Sequence, residues 1–239
     1  MANKKQRIQI IDAARGFAVF LMVIHHAFYD IAQFLDGPWW LYRNPVFDFL
    51  QYIFVGLFIL ISGVASRFSK SNLERGAIVF VVAMAITYVT TRMGMPITFG
   101  ILHLLGSFMM FYGITHKLWD KLPRKVAPFI YISLLLISIF VLEHYSPRAT
   151  NLVTRDVYSI LGWRQQGFIN YDNQTILPWI FVFLLGTWIG IYIKENKFPK
   201  WFYSFKIPFF PLIGRHALLV YILHQPILYG LIMLVLWFR

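Results

Sequence analysis

His26 and Asp30 stand four residues apart, the spacing of one helical turn. A carboxylate at that spacing orients an imidazole and raises its basicity, which is what a general base needs. The same stretch, IQIIDAARGFAVFLMVIHHAFYDIAQ over 8–33, also carries Asp12, Arg15, His25 and Gln33. On a helix turning about 100° per residue, Asp12, Arg15, Asp30 and Gln33 all fall within roughly 40° of His26, while His25 points about 100° away. Val19 and Met22 fill the gaps in this stripe. Arg15 lies about 16 Å from His26 along the axis, with Asp12 one turn before it. Arg15 reads in two ways: a snorkelling arginine at a membrane surface, or a phosphate contact for an anionic ligand. Ionisable groups in a membrane helix cost several kcal/mol unless they face protein or water, so the seam is expected to face an internal cavity.

Further groups join this inventory. His103 sits in GILHLLGS, with Gly100 and Ser107 on its face, where another helix can approach closely. Its expected depth matches that of His26, which places both on one cavity; the plainer reading is a structural hydrogen bonder. His224 sits in VYILHQPILYG beside Pro226, which cannot bond the carbonyl of Ile222 and so is expected to kink the helix there. Arg215 and His216 lie near the start of the same apolar run. Nine residues make about 900° of turn, so on a regular helix Arg215 and His224 face opposite ways. A polar segment over 144–175 carries Arg155, Asp156, Trp163, Arg164, Asn170, Tyr171, Asp172 and Asn173. That mixture suits a polar ring substrate such as a sugar, and equally an ordinary solvated loop.

The elements that must position these groups are apolar helices. Of 239 residues 59% are hydrophobic and only 13% charged, against about 25% charged in a soluble domain. Apolar runs of about twenty residues recur, near 9–34, 46–67, 76–92, 97–115, 126–143, 176–193 and 212–238. The expected fold is all-α: a polytopic membrane bundle of about seven transmembrane helices, forming one domain over 1–239. The net charge of +12 sits in short loops, which is a topology signal and excludes a nucleic-acid surface. Lys4, Lys5, Arg7, Arg67, Lys70, Lys117, Lys194 and Lys206 fall on one side, and Arg43, Arg92, Arg148 and Arg239 on the other. Every lysine falls inside when the N-terminus is placed in the cytoplasm. Cysteine is absent, which excludes thiolate nucleophiles and zinc–sulfur sites. No phosphate-binding glycine loop, zinc helix signature or nucleophile elbow occurs.

RIQIIDAARGFAVFLMVIHHAFYD resembles the opening of the short bacterial relatives of heparan-alpha-glucosaminide N-acetyltransferase. The likeness continues in order through LFILISGVASRFS, FGILHLLGS, LPWIFVFLLGTWIG and GRHALLVYILHQPIL. A looser likeness exists to membrane acyltransferase family 3. The resemblance implies transfer of an acetyl or other acyl group from cytosolic acetyl-CoA to an acceptor, such as an amino sugar or glycan, on the opposite side of a bacterial cell membrane. His224 matches a last-span histidine of the sugar-acetylating branch. In that branch the position of His26 is an asparagine, and the catalytic histidine lies in the loop after the first span. Here that loop, AQFLDGPWWLYRNP, holds no histidine, so the catalytic assignment does not carry over: His26 takes the role, His103 does, or this branch does something else.

The resulting expectation assigns catalysis to His26, Asp30, His103 and His224. Donor binding falls to Arg15, Asp12, Arg215 and His216, with acetyl-CoA as acyl donor and no metal. The partners are the donor, a sugar or glycan acceptor and the bilayer, with a homodimer left open. Two rivals predict different observables. A histidine-dependent transporter or flippase moves an unmodified solute and consumes no thioester. A scaffold with polar helix contacts loses stability, and no activity, when its histidines are replaced.

Overall fold

The computed structural model describes residues 7–145, 147–163, 165–167, 172 and 174–238. Lys4, Lys5, Arg164, Asn170, Tyr171, Asn173 and Arg239, named above, lie outside them. Among the described residues ten α-helices form: α1 Gln9–Phe34, α2 Pro45–Ser66, α3 Asn72–Arg92, α4 Ile101–Trp119, α5 Ala127–His144, α6 Leu152–Leu161, α7 Trp179–Lys194, α8 Lys200–Ser204, α9 Phe210–Arg215 and α10 Ala217–Trp237. A 3-10 turn, Trp39–Leu41, joins α1 to α2. Among the described residues no strand forms. Among the described residues five helical segments are long and apolar enough to cross a membrane: Gln9–Phe34, Trp39–Ser66, Asn72–Arg92, Ala127–His144 and Ala217–Trp237. The apolar α7 is shorter, at 16 residues. The chain is therefore an all-helical protein with membrane-spanning helices.

The boundaries follow from local chemistry. α3 begins four residues before the expected 76 because Ser71 caps it, accepting from the Glu74 N–H at 3.3 Å. α4 begins four residues after the expected 97. The intervening chain is tied to α3 instead: Thr90 Oγ1 accepts from the Ile97 N–H at 3.2 Å, and Thr87 Oγ1 donates to the Ile97 carbonyl at 2.6 Å. The segment over 144–175 is not wholly loop. Asn151 and Thr154 cap each other's backbone and start the ten-residue α6.

The apolar run near 212–238 is broken. α9 ends at Arg215, and His216, at φ −106° and ψ 22°, starts α10 on a new axis of hydrogen bonds. The opposition of Arg215 and His224 on one regular helix therefore does not apply. α10 itself continues through Pro226 to Trp237.

Two compact units divide the chain: one holds the residues up to Ile61 and those from Asn196 onward, the other Ser62–Glu195. In the first unit α1 packs on α9 and α10. Gly16 and Gly214 meet where α1 crosses α9. A Cβ on Gly16 would run into the Phe210 carbonyl oxygen and come within 2.8 Å of the Gly214 amide; one on Gly214 would run into the Asp12 carbonyl. In lipid there is little hydrophobic drive between helices, so such close approach of small residues, with its dense van der Waals contact, holds them together.

The second unit repeats the device. A Cβ on Gly76 of α3 would lie 2.8 Å from the Gly106 carbonyl of α4, and one on Gly190 of α7 would lie 3.0 Å from the Val64 carbonyl. Leu104, Phe108, Phe183, Leu184 and Thr187 are buried between α4 and α7, with the Phe108 and Phe183 rings 5.6 Å apart. The outward faces are apolar: Ile78, Val81 and Met84 on α3, Phe129, Leu136 and Phe140 on α5, and Leu223, Ile227, Leu231 and Leu234 on α10 are exposed. Surfaces of that kind suit hydrocarbon.

Candidate active site

The polar seam of α1 turns toward α9 and α10. At its start Asp12 is only 3% exposed and collects three guanidinium groups. Arg7 pairs with it at 2.5 Å, Arg15 Nη1 lies 3.4 Å from Oδ1, and Arg215 Nε of α9 lies 3.8 Å from Oδ2. Three cations against one carboxylate leave an excess of positive charge. Arg15 Nη1 also donates to the Gly214 carbonyl at 3.3 Å. That carbonyl belongs to the last turn of α9, where helix carbonyls lack intrahelical partners, so a guanidinium there is stabilising. Arg15 is partly exposed (18% for its side chain), and Arg215 and His216 are exposed at the α9–α10 break. Arg15, Asp12 and Arg215 are thus brought together.

Farther along, α1 meets α10 through two adjacent pairs. The His26 and His224 rings lie 5.0 Å apart between centroids, inclined at 61°. One turn on, Asp30, fully buried, accepts from Gln225 Nε2 at 2.9 and 3.0 Å through its two oxygens. Each residue of the α1 pair has a counterpart among two neighbours of α10. His224 Nδ1 lies 2.6 Å from the Tyr221 carbonyl. A carbonyl oxygen only accepts, so Nδ1 carries the proton and Nε2 is the basic nitrogen of the neutral ring. His25, on another face, is buried against Tyr42 and Phe54, its ring centroid 4.7 and 5.8 Å from theirs. The seam is therefore closed at its two carboxylates, by polar partners, and partly open at Arg15 and His26. Gln33 at its end is exposed.

His103 belongs to the second unit and is 2% exposed. Its Nδ1 accepts from the Gly100 N–H at 3.2 Å, capping the first turn of α4. Its Nε2 lies 3.1 Å from Thr87 Oγ1, whose hydrogen goes to the Ile97 carbonyl, so Nε2 is the donor. Both ring nitrogens of His103 are thus engaged, Nδ1 in capping α4 and Nε2 in tying α4 to α3.

The second unit also holds a cavity of ≈ 560 Å³. Arg67, Asp120, Arg124, Lys194 and Glu195 supply its charges, and Trp119, Tyr131 and Trp188 its aromatic walls. Among the described residues no group of three or more His, Asp or Glu side chains is arranged to hold a metal ion. Two features went unassigned at the sequence level. Gln225 is simply the residue after His224 in the sequence, and its role depends on Asp30, 195 residues away. The cavity gathers residues from the ends of α2, α4 and α7, which no local pattern links.

A family model described as heparan-alpha-glucosaminide N-acetyltransferase, catalytic, matches residues 7–226. No curated protein and no solved structure matches.

Proposed function

The chain belongs to the heparan-alpha-glucosaminide N-acetyltransferase family, a family of membrane acetyltransferases, and on that premise we propose that it moves an acetyl group from cytosolic acetyl-CoA to an amino sugar or glycan across the membrane. The observation that carries this reading is the pairing of α1 with α10: His26 against His224, locked by Asp30 on Gln225. His224 Nε2 and the partly open His26 supply the base. The imidazole takes the proton from the acceptor nitrogen or hydroxyl as that atom bonds the thioester carbonyl carbon. The C–S bond then breaks, and the imidazolium returns the proton to the departing thiolate. Asp30 acts as a positioning residue, fixing α1 on α10. The His103 hydrogen bonds favour a structural part for that residue.

Arg15 and Arg215, with Asp12 aligning them and His216 beside them, form the donor's phosphate contact. Their excess positive charge supports this part of the proposal. We read seven crossings, α1, α2, α3, α4, α5, α7 and α10, with the N-terminus cytoplasmic, because that orientation gathers the lysines inside. The family match runs without a break through both units, which supports one catalytic domain.

Calorimetry with acetyl-CoA on the wild type and Arg15→Ala tests donor binding. Binding by the wild type, weakened in the variant, is expected; no binding by either overturns the reading. Because the chain has no cysteine, thiol release can be followed with a disulfide reagent free of protein background. His26→Ala and His224→Ala are each expected to bind donor but lose roughly 10²–10⁴-fold in turnover. Full turnover in either removes that residue from the chemistry.

A further inference from the structure

The cavity of the second unit lies where α2, α4 and α7 end and α5 begins: Trp119 closes α4, Lys194 closes α7 and Ala127 opens α5. These helices are apolar along their length, so their ends mark the depth at which hydrocarbon gives way to headgroups. Trp119, Tyr131 and Trp188 line it at that depth, as amphipathic rings do at a membrane interface.

The charges within it form an ordered set. Arg67 holds Asp120 at 2.6 Å and donates to the Thr187 carbonyl at 3.0 Å. Arg124 holds Glu195 at 2.8 Å, and the Trp188 indole N–H donates to the Arg124 carbonyl at 2.8 Å. Lys194 Nζ donates to the Arg67 carbonyl at 3.1 Å. Two guanidinium–carboxylate pairs leave one ammonium over, so three cations against two carboxylates give the site a net charge of +1.

We infer that this cavity binds the headgroup of a membrane lipid carrying a single phosphodiester charge. One phosphodiester neutralises the excess, with its oxygens on Lys194 and Arg124, while Leu122 and Ile191 meet the start of the acyl chains. A bisphosphorylated nucleotide fits worse. Two phosphomonoesters bring about −3 to −4, which two carboxylates in the same walls oppose. The three-arginine cluster around Asp12 is the better match for that charge. The lipid site does not depend on the transfer reaction proposed above.

The test uses full-length protein purified in mild detergent and stripped of lipid. Phosphatidylglycerol, phosphatidylcholine and adenosine 3′,5′-bisphosphate are added separately, and retained molecules are counted by native mass spectrometry at rising salt. Phosphatidylglycerol is expected to be retained, and phosphatidylcholine released, at moderate salt. In Arg124→Gln/Lys194→Gln the phosphatidylglycerol affinity is expected to fall about tenfold or more, since each basic group near a lipid surface contributes about 1 kcal/mol. Arg124→Lys, which keeps the charge, is expected to retain lipid and serves as the check on folding. Lys206→Gln, outside the cavity, is expected to behave as wild type. Equal retention of the two lipids, or undiminished phosphatidylglycerol binding in the double variant, overturns the inference. So does nucleotide binding that is lost in the double variant while lipid binding is kept.

Discussion

Gln225 holds a carboxylate that has been taken wholly out of solvent. A helix–helix hydrogen bond in a membrane protein is worth only about 0.6 kcal/mol on average, but a buried acceptor left without its donor costs about 1–3 kcal/mol. Gln225→Leu should therefore lower the thermal stability of the detergent-solubilised protein by the larger figure. Asp30→Leu/Gln225→Leu, which removes both partners, should recover most of it. A thermal-unfolding series on the three proteins checks this. Thr87 makes the opposite contrast with the histidine pair. Thr87→Val leaves the His103 Nε2 donor and the Ile97 carbonyl without a hydroxyl, so it should cost about 1–3 kcal/mol in stability while turnover per folded molecule stays at the wild-type level. Loss of turnover at unchanged stability would instead return His103 to the chemistry.

At the scale of the helices, the glycines separate two kinds of position on one measurement. Gly16 meets backbone atoms of α9, which cannot step aside as a side chain can. Gly16→Ala should cost at least the upper end of the roughly 1–3 kcal/mol of an overpacked core. Gly230 of α10 has nothing within 4 Å of an added Cβ, so Gly230→Ala should be neutral or gain up to about 1 kcal/mol from helix propensity. Comparing the unfolding midpoints of the two variants decides it. The long helices were legible because a bilayer demands long apolar runs, and α1, α2, α3 and α5 lie within a few residues of where those runs placed them. The α9–α10 break was not legible, since both sides of His216 are apolar and the turn is set by α9 packing across Gly16. α6 was missed because a ten-residue amphipathic helix leaves no trace in hydropathy. Its start lay in the Asn151–Thr154 reciprocal cap. The α1 seam was legible from its 3.6-residue period, but its partners on α10 were not.

For the molecule as a whole, the charge bias makes a direct statement about sidedness. The absence of cysteine gives a clean background for labelling. Lys70→Cys should react with a membrane-impermeant maleimide only after the cells are opened, and Arg148→Cys in intact cells. The reverse pattern would turn the molecule over and with it the side from which the donor enters. The family was legible from ordered motifs along most of the chain, and the match over 7–226 agrees with them. The unit holding the histidine pair is made from the two ends of the chain, with α1 and α10 separated by everything in the other unit. During synthesis the first helix must therefore enter the bilayer with Asp30 still lacking its amide, and wait for nearly two hundred residues to follow. Ribosomes that stall before α10 release a chain with an orphaned acid in hydrocarbon, which is the kind of defect a membrane protease can recognise. Only a polypeptide that includes α10 can close the seam.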